Sequence, residues 1–282
     1  MHQQLESRAT TRPGNSSMAA VRAYEPRRFK SAVPFYERYR LGYPERLLRR
    51  VLSFAALVPG DRVLDLGTGP GLLAIPFAAA GLRVSAADPE PDMLDAAADA
   101  ARSAGVTLEL LCCSSYDLTP SMGPYRLVTM GRAFHWMDRP ATLRMLDRIV
   151  APRGAIALFH DHHPDTTENR WTKVLREIGD RHGRSAEPHV AERRADEYRT
   201  HESVLLASAF KVLDGISVTI QKPITVDEIV GRAFSMSTCS REKLGTRAGA
   251  FEAELRAGLA LLSASGEFSE IAKLEALVAR RP

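Results

Sequence analysis

From about residue 62 onwards, short apolar runs alternate with longer amphipathic stretches. Arg62 to Gly67, Arg83 to Asp88, Thr107 to Cys112, Leu127 to Gly131 and Ala155 to His160 have the length and apolar character of buried strands. Between them, Leu72 to Ala80, Asp92 to Ala104 and Thr142 to Val150 carry apolar residues at helical spacing. This alternation predicts βαβ units and therefore an α/β fold, a doubly wound and mainly parallel sheet covered on both faces. Pro76 would cost about 3 kcal/mol inside the first helix, so that helix is expected to start late or kink.

Outside the alternation the pattern changes. Residues 1–23, rich in Gln, Ser, Thr, Pro and Gly, read as a mobile tail. Residues 24–60 read as a helical cap, with Phe35, Tyr36 and Tyr39 in one stretch and Leu47, Leu48, Val51 and Leu52 in another after Tyr43-Pro44. Residues 61–164 form the expected ligand-binding core, 165–202 a charged helical insertion, and 203–282 the completion of the fold. In that last part a strand pair is expected around Phe210 to Ile220, with helices over Asp227 to Ser237 and Glu252 to Ala279.

With 45% hydrophobic residues among 282, the chain can bury the core of one large domain with appended helices. It has no apolar run long enough to span a membrane, and Met1 to Thr10 is polar, so the expected location is cytoplasmic with no membrane partner. Cys112, Cys113 and Cys239 lack zinc-type spacing and read as reduced thiols. The formal charge of +4 is scattered rather than gathered in one basic block, so no nucleic-acid partner is expected.

The densest chemistry lies in Val63-Leu64-Asp65-Leu66-Gly67-Thr68-Gly69-Pro70-Gly71, a strand that runs into a glycine-rich turn and a helix. Ligands of open α/β sheets bind at such strand ends. A dinucleotide fingerprint needs GxGxxG, whereas here the spacing is GxGxG and Leu72 fills the third dinucleotide position. Asp65 beside a helix N-terminus would repel a pyrophosphate and attract an ammonium, which suits S-adenosyl-L-methionine and disfavours NAD. Asp88 closes the second strand, where a carboxylate can accept both ribose hydroxyl protons; the alternative is an N-cap for the next helix.

These segments, with Ala87-Asp88-Pro89-Glu90-Pro91-Asp92-Met93-Leu94 and the turn at Leu146 to Ala157, resemble three spaced motifs of class I methyltransferases. Within that class the chain is similar to the small-molecule type 11 group, which includes ubiquinone/menaquinone- and biotin-pathway enzymes. The resemblance covers about Tyr36 to His160. It implies transfer of a methyl group from S-adenosyl-L-methionine to an O, N or C nucleophile of a small-molecule acceptor, with S-adenosyl-L-homocysteine as product, by a chain that is free to form a homodimer. A non-methylating enzyme, or a binding module that keeps the fold, is the alternative. Residue by residue, Gly67, Thr68, Gly69 and Gly71 would line the methionine part with Asp65 near its amino group. Asp88 would hold the ribose, and Pro89 and Met93 would flank the adenine. Many relatives place an Asp-Ala pair after the third strand; this chain has Cys113-Ser114-Ser115-Tyr116-Asp117, so Ser114 takes the Asp position with Asp117 the later acid, and Ser115, Tyr116 and Arg132 complete the cofactor set.

His135, in Phe134-His135-Trp136, follows the fourth strand and is the candidate general base; packing beneath the cofactor is the other reading. Tyr36, Tyr39, His135, Trp136, His160 and His162 are the candidate acceptor contacts. In His160-Asp161-His162-His163 alternate residues of an extended chain share a face, so His160 and His162 can face one cation. Without a CxxC or HExxH partner, a polar pocket wall and no metal is the expectation.

Overall fold

The computed structural model describes residues 33–187, 190–192, 195 and 197–282. The expected tail at 1–23 lies outside them. After α1 (Val33–Tyr39) and α2 (Glu45–Phe54), the chain alternates β1 (Arg62–Leu66), α3 (Ala74–Ala79), β2 (Arg83–Asp88), α4 (Pro91–Ser103) and β3 (Glu109–Cys112). It continues with β4 (Tyr125–Gly131), α5 (Arg139–Ile149) and β5 (Val150–His162). Then come α6 (Arg170–Arg181), α7 (His201–Leu206), β6 (Val212–Thr225), α8 (Val226–Phe234), α9 (Arg241–Leu244), α10 (Ala248–Ala260) and β7 (Glu267–Arg280).

The seven strands lie in the order β3-β2-β1-β4-β5-β7-β6. The first five pair in parallel, and β7 runs antiparallel to both β5 and β6. This is the expected α/β sheet. One face buries Val63, Val84, Phe77, Phe159 and Leu274 beneath α2 and α3, and the other buries Leu64, Val128, Ile156 and Leu158 beneath α5 and α7. Among the described residues no helix is long and apolar enough to cross a membrane.

Two readings need correction. The helix expected over Glu252 to Ala279 ends at Ala260, and 267–280 is a strand; the strand pair expected near Phe210 to Ile220 is a single strand whose partner is β7. In β7, Glu270, Ala272, Leu274, Ala276 and Val278 are buried, and intermediate residues alternate with them. Ile271, Leu274, Leu277 and Val278 also fit helical spacing, and Ala, Leu, Glu and Lys favour helix. Pairing on both edges, with β5 and β6, overrides that local preference. Pro76 behaves as anticipated, because α3 begins only at Ala74 and holds the proline in its first turn, where its missing N–H costs nothing.

The cap is larger than the sequence suggests. Trp171, Leu175 and Ile178 of α6 pack with Ile229 and Phe234 of α8 and with Phe251, Leu255 and Leu259 of α10 in a separate core. The ring of Tyr39 lies against Gly231 of α8, where an added Cβ would stand 2.3 Å from a ring carbon. Gly231→Ala is therefore expected to displace Tyr39 and to destabilise the chain by about 1–3 kcal/mol. Denaturant melts check this, and an unchanged midpoint would refute the contact.

Candidate active site

The backbone from Gly67 to Gly71 turns sharply, with φ of +75° at Gly67, +54° at Gly69 and +86° at Gly71. L-residues rarely adopt such values. The N–H groups of Gly67 and Thr68 donate to the carbonyl of Ala87 at 2.8 and 3.0 Å, which fastens the turn to the end of β2. Room is as limiting as conformation: a Cβ on Gly67 would stand 2.5 Å from the Cβ of Ala133.

Two carboxylates flank this turn. Asp65 is 1% exposed and accepts the hydroxyl protons of Thr68 and Thr129, both at 2.7 Å. Asp88 accepts the N–H of Gly69 at 2.8 Å on one oxygen and that of Glu90 at 3.0 Å on the other. It is not the cap of α4, whose N-cap is Glu90. Each Asp88 oxygen keeps a lone pair beyond its backbone donor, so the group can still accept two hydroxyl protons. Met93 is buried, and its sulfur lies 3.9 Å from where a Cβ of Gly69 would be. Pro89 joins β2 to α4 beside it.

After β3, the N–H and hydroxyl of Ser114 donate to Asp117 at 2.8 and 2.6 Å, and the N–H of Tyr116 donates to the Ser114 hydroxyl at 3.2 Å. Ser114 thus shapes the loop that carries Ser115 and the exposed Tyr116. This loop follows Cys112, which pairs with Asp88 in register, so it stands at the same edge of the sheet.

Arg132 follows β4 with a φ of +56°. Its guanidinium bonds Asp161 through Nε, donates to the carbonyl of Leu41 at 2.8 Å and stacks over Tyr43 with its Cζ 4.8 Å from the ring centre. This clasp ties the cap to β4 and β5. Sequence reasoning listed Arg132 but missed Asp161 and Thr129, which nothing distinguishes from ordinary strand residues until β1, β4 and β5 lie side by side. Tyr36, Tyr43, Asp65, Thr68, Leu72 and Arg132 line a narrow cleft of about 10 Å³, room for a single water. Tyr39 is not in its wall; it lines a larger cavity of about 560 Å³ between α1, α8 and α10, away from the glycine turn.

His135 sits on the 3-10 turn Phe134–Trp136, half-buried, with its ring 4.8 Å from that of Trp136. The preceding Ala133 is the residue that abuts Gly67. His160 and His162 point to the opposite face of β5 from Asp161, toward the side that carries α7.

Residues 63–154 match the family model of the methyltransferase domain. An uncharacterised methyltransferase of Mycobacterium tuberculosis is 32% identical over 160 residues, 57% of this chain and 60% of that relative. Over residues 63–154 the chain is thus similar to a methyltransferase domain. The match spans about 60% of the length of the mycobacterial relatives. The tRNA 5-carboxymethoxyuridine methyltransferase of Escherichia coli is 31% identical over 107 residues, 36% of this chain and 41% of that one. A solved structure from Anaeromyxobacter dehalogenans has a TM-score of 0.57 at 19% identity, covering 86% of this chain and 98% of its own. A SAM-dependent methyltransferase of Thiobacillus denitrificans, solved with S-adenosyl-L-homocysteine, has a TM-score of 0.52 at 14% identity, covering 92% and 99%. The matched residues hold the glycine turn, Asp65 and Asp88, whereas the cap helices α6, α8, α9 and α10 fall outside them.

The buried carboxylates at the turn and at the Arg132 clasp differ in acidity. Burial raises the Asp65 carboxyl to about 6 despite its hydroxyl donors, and raises Asp88 to about 6 despite two backbone N–H groups. Burial acts the same way on Asp161, but Arg132 beside it prevails and holds that carboxyl at about 2. In the unfolded chain Asp65 and Asp88 titrate near 3.8, so the folded form retains protons that the unfolded form has released. Their protonated forms stabilise the fold fully below about pH 4, and that contribution is lost as pH rises through about 6. Wild-type unfolding free energy is expected to fall across pH 4.5 to 6.5, with Asp88→Asn removing about 1–3 kcal/mol of the fall. Urea titrations over that window check it, and parallel profiles for the two proteins would refute the assignment.

Proposed function

We propose that this chain transfers a methyl group from S-adenosyl-L-methionine to an oxygen, nitrogen or carbon nucleophile of a small metabolite, leaving S-adenosyl-L-homocysteine. The observation that carries this reading is Asp88: its carboxylate is braced by the N–H of Gly69 and of Glu90 and keeps one lone pair per oxygen for a ribose diol. When bound, S-adenosyl-L-methionine supplies a methyl group on a positively charged sulfur.

The chain's own residues fit that ligand. Gly67, Thr68, Gly69 and Gly71 offer close backbone approach, and no side chain could stand at Gly67. Asp65 supplies a buried negative charge toward the amino group, Asp88 takes the ribose, and Pro89 and Met93 border the adenine with the Ser114–Tyr116 loop opposite. The cleft beneath Tyr36 and Arg132 is narrow and lined by the cap as well as by the glycine turn. In such a cleft, alignment of acceptor and methyl away from bulk water supplies most of the rate. His135, with Trp136 beside it, stands after β4 where it can take the acceptor proton. A small acceptor suits a narrow cleft lined by Tyr36, Tyr43 and Arg132, and along the sequence the basic residues are scattered among acids rather than gathered in one block.

Calorimetry is expected to find binding of S-adenosyl-L-homocysteine and none of NAD, with Asp88→Ala weakening the former by about 1.5–3 kcal/mol. Wild-type binding of NAD alone would end the methyltransferase reading. A mass-spectrometric screen of small metabolites alongside bulk tRNA is expected to find methylation among the metabolites; methylated tRNA alone would overturn the acceptor class.

A second expectation concerns the base. His135→Ala should slow single-turnover methylation about 10²- to 10⁴-fold and leave the cofactor dissociation constant nearly unchanged. Parallel losses of rate and affinity would assign His135 to packing instead.

A further inference from the structure

We infer that His160, His162 and Glu275 form a binding site for a divalent transition-metal ion at the carboxyl end of β5, on the sheet face that carries α7. His160 lies directly opposite Glu275 across the antiparallel β5–β7 pair, and His162 is its diagonal neighbour. Ile156 and Leu158 mark this face on β5 and Leu277 and Ala279 mark it on β7, since all four belong to the core beneath α5 and α7. Alternation therefore brings His160, His162 and Glu275 to one side, while Asp161 turns to the other side and bonds Arg132.

Their ligand atoms all lie within 4.8 Å of one another. Oε2 of Glu275 is 3.4 Å from Nε2 of His160 and 3.3 Å from Nδ1 of His162. These separations are long for an N–H···O hydrogen bond, whose usual distance is about 2.9 Å. They match the edge of a coordination tetrahedron, because bonds of about 2.0–2.2 Å to nitrogen and oxygen place ligand atoms about 3.3–3.5 Å apart. The other oxygen of Glu275 is held by Nζ of Lys273 at 2.5 Å, which fixes the carboxylate and leaves Oε2 turned to the two imidazoles. The imidazole side chains are 45% and 48% exposed, so an ion can reach them from solvent. Two imidazoles and one carboxylate are a borderline-soft donor set that suits Zn²⁺ or its first-row neighbours and leaves a fourth position for water. Sequence spacing exposed two of the three ligands, since the carboxylate comes from a strand more than a hundred residues away.

Calorimetric titration of the full chain with Zn²⁺ is expected to find one ion per chain. His160→Ala and His162→Ala should each weaken binding at least about 100-fold, and Glu275→Gln at least about tenfold, because even outer-shell partners are worth about 10–100-fold. Zn²⁺ should raise the melting temperature of the wild type and not that of the double histidine variant. Circular dichroism reports whether the variants fold, and Co²⁺ added to the wild type gives an independent readout through the intense visible bands of a tetrahedral ion. A wild type that takes up no ion, a weakly coloured octahedral Co²⁺ complex, or folded variants that bind as tightly as the wild type would each overturn the site.

Discussion

The ends of β1 and β4 meet at Gly67 with no space between them, since even a single carbon added there would collide with Ala133. That close approach sets where everything else in the cleft can be. It brings the turn under the carbonyl of Ala87, and so puts Gly69 within reach of Asp88. It also sets the start of the Phe134–Trp136 turn and hence the position of His135. A residue with a side chain at Gly67 would face two penalties at once, a left-handed backbone and an occupied volume. The cofactor cleft is therefore a consequence of strand packing before it is a matter of polar contacts.

The parallel half of the sheet was legible because its strands are short, apolar and punctuated by glycines, and because Asp65 stands next to last in β1 and Asp88 closes β2. The antiparallel edge was not. Residues 267–280 satisfy both periodicities, and only the presence of β5 and β6 decides between them. Polar partners were hardest to foresee: Thr129 meets Asp65 from 64 positions away, and Asp161 meets Arg132 from 29. No local spacing marks such pairs, because they exist only once strands lie side by side. The double role of Asp88 was half visible. Its place at a strand end was plain, whereas the choice between brace and helix cap turned on α4 starting after Glu90.

The cap is joined to the sheet by charge as well as by its apolar core. Glu270 of β7 is fully buried and meets Arg232 of α8, with the imidazole of His163 at 2.6 Å. Burial would raise this carboxyl, yet hydrogen bonds from His163 and Arg232 bring it down to about 2. Buried ion pairs contribute little net stability against an apolar substitute, but each partner is costly to leave alone. The network thus ties α8 to β7 from within, while α1 packs on α8 through Tyr39 and reaches the glycine turn through Tyr36.

The position of β7 has a consequence for how the chain is made. It is the seventh strand in order of synthesis, yet it lies inside the sheet, hydrogen-bonded on one side to β5 and on the other to β6. On the ribosome, the outer edge of β5 therefore waits with its amides and carbonyls unpaired while more than a hundred further residues are added. An open edge of that kind can recruit other chains. The nascent protein is most exposed to misassembly in the interval after β5 has docked and before residues 267–280 emerge.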